Sequence, residues 1–250
     1  MSGPFDRTVM WLTWRQLFAR KRIYIAAAFA LVPVLFTVFF RFTTDDHAGG
    51  RLDFFNGLSR ELVIGTLVPL AAALFGTTAF GGEMDDGTLV YLLIKPIARW
   101  RLVLSKYVVA VLSTVAVMIP ALLLPWLALS GPELPANIVI GYMVGGAVGA
   151  AVYCALFLSL GLASRRALVI ALAYVIGFEG VLSRNMVGMK SLSVREFAVA
   201  LSRAASSGAI EITSYVVPMT TVWTMSAILL IGALALSLRR LSRFEMAERV

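Results

Sequence analysis

The chain is dominated by apolar runs long enough to cross a lipid bilayer, separated by short polar gaps that collect most of its charge. At a helical rise of 1.5 Å per residue, about 20 apolar residues cross a hydrocarbon layer of roughly 30 Å. A soluble core needs no runs of that length. Composition agrees: 60% of the 250 residues are hydrophobic and 14% are charged, against roughly half and a quarter in ordinary soluble domains. One membrane domain fits this length, with almost nothing left for a second, soluble one.

Six spans can be drawn, at 23–40, 62–80, 102–129, 138–163, 167–182 and 216–238, giving an all-α polytopic membrane protein. The third carries Pro120 and Pro125 in its second half, and Glu179 interrupts the fifth. The first follows Arg20, Lys21 and Arg22 as a signal peptide would. Its apolar run is too long for that, and it ends at Phe39, Phe40 and Arg41 without a small-residue cleavage site. It reads as a retained helix. The expected divisions are an interfacial helix over 1–22, the six-span domain over 23–238 and a tail over 239–250.

The net charge is +8. Nucleic-acid binding requires a solvated basic face, whereas these bases sit in the gaps between spans, where they act as topology signals and contact lipid headgroups. With the N-terminus in the cytoplasm, the inner segments hold 15 lysines and arginines, among them Arg15, Lys95, Arg99, Arg101, Lys106 and Arg239. The outer segments hold 7: Arg41, Arg51, Arg60, Arg184, Lys190, Arg195 and Arg203. The positive-inside rule therefore predicts that both termini are cytoplasmic. Cys154 is the only cysteine, so no intrachain disulfide forms.

Two segments have amphipathic rather than spanning patterns. Residues 8–22 bring Trp11, Trp14 and Phe18 to helical spacing among Arg15, Arg20 and Lys21, as a helix lying in the headgroup layer does. In the outer segment 183–212, Ser193 and Glu196 form an S-x-x-E capping box ahead of Phe197 and Leu201. This predicts a short helix on the outer surface, or one that dips into the membrane.

The gap between spans two and three carries the most information. Glu83, Asp85 and Asp86 precede a short apolar stretch, and Lys95, Arg99, Arg101 and Lys106 follow it, a polarity that suits a helix macrodipole. Thr88 suits an N-cap, and Pro96 stops the helix near Ile94. A capped, solvated connector is the plainer account of these residues.

The pattern E-x-x-D-G-T-L-x-x-L-L, followed by K-P-I-x-R and a later lysine, resembles the permeases of type-2 ATP-binding-cassette exporters. The resemblance falls on Glu83, Asp86, Gly87, Thr88, Leu89, Leu92, Leu93, Pro96, Arg99 and Lys106, with Asp85 in the same acidic cluster. Within that family the chain is similar to the stand-alone permeases that include the nitrous-oxide reductase maturation transporter. The resemblance implies that residues 83–95 form a coupling helix docked on a separate ATPase, present in two copies. It also implies a homodimer or a pair with a related permease in the cytoplasmic (inner) membrane. ATP and Mg would then be bound by the ATPase, and this chain would not itself be an enzyme. Consistently, the sequence contains no G-x-x-x-x-G-K-[ST] phosphate cradle.

The remaining candidates each have a plainer reading. Glu179 is either an outer gate or cargo contact, or a carboxylate that reaches the headgroups beside Arg184. Gly141, Gly145 and Gly149 make a stripe for close helix packing, within one chain or across a dimer seam, the former being the plainer. His47 with Asp45 and Asp46 reads as a solvated loop rather than a metal site, and Met186 and Met189 as interfacial apolar residues. An intramembrane enzyme would need converging nucleophile, base or metal groups. A carrier driven by an ion gradient would show inverted repeats and buried ionisable residues. Neither pattern is evident. The apolar spans mildly favour a lipophilic cargo.

Overall fold

The structure, a computed structural model, describes residues 7–17, 20–43, 48–85, 98–129, 131, 134–164, 166–182, 191–210 and 217–247. All of the regular structure among them is helical. The first helix, α1 (Arg7–Leu17), leaves Trp11 and Trp14 exposed and buries Thr13, with the Arg15 guanidinium 5.2 Å over the Trp11 ring. It covers residues 8–17 of the expected 8–22 helix, Phe18 lies outside the described residues, and Arg20, Lys21 and Arg22 belong to the next helix.

Helix α2 (Arg20–Thr43) crosses first. The chain returns through α3 (Ala48–Gly57), a wider π-helical segment π1 (Leu58–Leu67) and α4 (Val68–Asp85). These form one rod, because Gly57 and Val68 at the junctions keep right-handed helical backbone angles. The Val68 N–H reaches the Val63 carbonyl five residues back, as a π turn requires. The second span therefore begins well before Leu62. Arg60 and Glu61 lowered the local hydropathy there, yet they belong to the rod.

Helix α5 (Arg99–Leu129) crosses with Pro120 and Pro125 inside it, and α6 (Ala136–Gly161) returns. Membrane helices tolerate proline where neighbours and hydroxyls satisfy the freed backbone groups. The last helix, α9 (Met219–Ala247), runs from beside Phe197 and Leu201, where Val222 packs, to beside Ala79 and Phe80, where Leu241 packs. The end of α9 thus lies at the same end of the bundle as the start of α2.

Among the described residues, five helices are long and apolar enough to cross a membrane, and Ala167–Val181 is a shorter apolar stretch. The fifth crossing is made in two pieces. The first is α7 (Ala167–Tyr174) continued by π2 (Val175–Leu182), and the second is α8 (Val194–Ala205). Tyr174 meets Phe157 edge-on in the second half of α6. From there α8 continues antiparallel to α6: Ala198 packs at Gly149, Ser202 at Gly145 and Gly141, and Asn137 donates to the Ser206 carbonyl. The two pieces together cover the length of α6.

This corrects the expected position of α8. Its N-cap is Ser193, whose hydroxyl accepts the Glu196 N–H at 3.3 Å, as the capping box predicts. However, residues 194–202 are all buried, so the helix is packed inside the bundle instead of lying on its surface. Outward faces of the bundle, by contrast, are apolar, with Phe39, Val169 and Ile231 more than half exposed.

Candidate functional site

At the α1 end of the bundle, α4 and α5 lead into and out of residues 86–97. The backbones of Glu83 and Asp85 form the last turn of α4. Asp86, Gly87, Thr88, Leu89, Leu92, Leu93 and Pro96 lie outside the described residues. The helix expected there is therefore not described, but its two supports are.

Those supports are locked together. Lys106 of α5 is fully buried; its Nζ donates to the Ala79 carbonyl at 2.5 Å and lies 4.5 Å from the Phe80 ring centre. A buried ammonium needs such partners, and the last turns of a helix, the negative end of its dipole, favour a cation. Around it Ala79, Phe80, Leu102, Val103, Leu158, Leu162 and Leu241 form one apolar cluster. At Gly161 a Cβ would lie 2.6 Å from the Thr77 carbonyl, so only glycine lets α4 and α6 approach this closely. Arg99 opens α5 nearby, half-buried, and Arg101 lies 5.3 Å over the Trp100 ring.

A second constellation lies where π1, π2 and α8 meet. Arg195 is 3% exposed, and its Nη2 donates to Glu61 Oε1 at 2.5 Å; Glu196 Oε1 lies 4.0 Å from its Nη1. Gly65 leaves room for this arginine, because a Cβ there would lie 2.9 Å from Arg195 Nε. Arg60 Nε lies 3.8 Å from the same Glu61 oxygen.

The Glu179 carboxylate is 1% exposed and holds the start of α8. It accepts from Ser193 Oγ at 2.5 Å, from the Val194 N–H at 3.1 Å and from the Tyr174 hydroxyl at 3.5 Å. An acid at a helix N-terminus satisfies backbone donors and opposes the positive end of the dipole. In this structure the carboxylate is enclosed by these donors within the bundle. Arg184 lies outside the described residues. Glu179→Ala is expected to lower stability by about 1–3 kcal/mol, since two buried donors lose their acceptor. Thermal unfolding in detergent measures this.

The glycine stripe lies against α8, within the same chain. Glu61 and its link to Arg195 were not found from the sequence. The available signal was an acid–base pair at the edge of span two, but no spacing rule joins residues 134 positions apart.

Compared with known families, residues 17–180, about two-thirds of the chain, match the ABC-2 family transporter protein family. The matched region runs from the end of α1 through π2. The chain belongs to the ABC-2 transporter family. It is thus a multi-pass membrane permease, the transport component of an ABC system rather than an enzyme. No curated protein matches it. The Lys106 joint lies where α4 and α5 flank residues 86–97. The Glu61–Arg195–Glu179 constellation lies at the opposite half of the bundle.

Proposed function

We propose that this chain is the permease subunit of an ABC exporter, working with a separate ATPase subunit that binds ATP and Mg. Two copies, or one copy with a related permease, enclose the pathway in the cytoplasmic membrane with both termini inside. Residues 83–95 are the coupling helix, resting on Glu83, Asp85, Asp86 and the apolar face of Leu89, Leu92 and Leu93. The narrower likeness to the nitrous-oxide reductase maturation permease belongs to the same proposal.

The observation that carries this reading is the fully buried Lys106 clamp, which makes the α4–α5 base rigid where the segment attaches. A push there moves two spans together. ATP can bias the transport equilibrium only if its binding changes contacts between two states, and a rigid base delivers such contacts.

Reversing charge at Asp85 and Asp86 to lysine is expected to weaken ATPase docking while the permease still inserts. Copurification of the ATPase should fall on the order of tenfold, the loss of about 1.4 kcal/mol of docking energy. Unchanged copurification and ATP turnover would reject the coupling role. Ion-driven carriers also use broken helices and buried charges, as in the two-piece fifth crossing here. Cargo movement in liposomes by this chain alone, without ATP, would establish that rival.

A further inference from the structure

The Glu61 carboxylate combines depth with exposure in a way that lipid does not permit. Two contacts mark where α2 and α5 end: Phe40 stacks on Phe54 at 4.0 Å, and Arg41 Nη1 donates to the Ala128 carbonyl at 2.6 Å. Glu61 follows Phe54 by seven residues along the rod, which puts it about 10 Å deeper into the bundle. Even so, its side chain is 47% exposed, and that of Arg60 is 22% exposed. Ionisable groups at membrane depth face a bundle interior or a water-filled cavity, because exposure to acyl chains costs several kcal/mol.

We propose that the Arg60–Glu61 edge of π1 faces water and forms one wall of the transport pathway. Of its charges, Glu61 is the most open, while the Arg195 guanidinium behind it is covered. The wall therefore takes a cargo that presents a cationic or hydrogen-bond-donating headgroup. This rests on the permease reading above, and it replaces the mild preference for a lipophilic cargo with an amphiphilic one. The π turn contributes by widening the rod where Gly65 admits Arg195.

The test uses thiol accessibility in the assembled transporter in membranes. Cys154 is buried, so the native chain supplies a quiet background. Arg60→Cys is compared with Val169→Cys and Ile231→Cys, which occupy exposed apolar positions. A charged, membrane-impermeant thiol reagent should label Arg60→Cys on the order of tenfold faster than either control, since reaction needs a hydrated thiolate. A lipophilic maleimide should reach the controls. Dodecylamine should slow labelling of Thr66→Cys, which keeps both charges of the wall, more than dodecanoate does.

If Arg60→Cys fails to fold, Thr66→Cys replaces it, one π turn beyond Glu61, where Thr66 Oγ1 bonds the Glu61 carbonyl. Labelling by the lipophilic reagent alone, or by neither, overturns the hydrated wall. Equal protection by amine and carboxylate, or stronger protection by the carboxylate, overturns the cation preference. Labelling needs no turnover, so loss of ATP coupling would sink the permease reading while leaving this result intact.

Discussion

Glu61→Leu is expected to destabilise the permease by about 3 kcal/mol, because it leaves the buried Arg195 guanidinium without its closest anion. Removing one member of a buried ion pair costs about 3–5 kcal/mol. The lower end applies here, since Glu196 remains 4.0 Å from the same guanidinium. Arg195→Leu should cost less, because the stranded Glu61 is half exposed and can hydrate. That asymmetry is the diagnostic. Thermal unfolding in detergent, run on both single variants and on the Glu61→Leu/Arg195→Leu pair, measures the coupling. A double variant more stable than Glu61→Leu alone would show that the cost comes from the orphaned arginine; simple additivity would show that the pair contributes nothing.

Gly145→Leu is expected to separate α8 from α6. Even a Cβ at this position would overlap the Ser202 hydroxyl and the Ala198 carbonyl. One of these is backbone, which a rotamer change cannot move. Overpacking in a rigid site costs about 1–3 kcal/mol, and a backbone obstruction puts this variant at the upper end or above. Gly232→Ala is the control, since nothing lies within 4 Å of the added carbon, and it should be tolerated. Size-exclusion profiles and melting temperatures of the two variants decide the matter. Equal behaviour would mean that α8 does not pack on the glycine stripe.

The long crossings were legible because hydropathy over about 20 residues is a local property. Observed helices Arg99–Leu129 and Ala136–Gly161 begin within three residues of their expected starts. The Ser193 cap was legible for the same reason, as its partner is three residues away. Position was not. An amphipathic stretch with Arg195, Glu196 and Arg203 has the composition of a surface helix. Its burial depends on Glu61, far away in sequence, and on glycines of α6 that make room. The same hidden pairing shortened the expected second span, because Arg60 and Glu61 look like loop charges until Arg195 is brought beside them. The partners of Glu179 were not legible for another reason: Ser193 and the Val194 N–H lie 14 and 15 residues further along the chain, beyond the reach of any local spacing rule.

The enclosure of Lys106 has an experimental consequence. An amine packed between a carbonyl and an aromatic ring is shielded from acylating reagents, so at rest this lysine should stay unmodified in peptide mass spectra. Because the clamp carries α4 and α5 together, modification there should stay low even while nucleotide is being consumed. Lys106 is thus a built-in reporter of whether the two helices move as one body, readable without any introduced label.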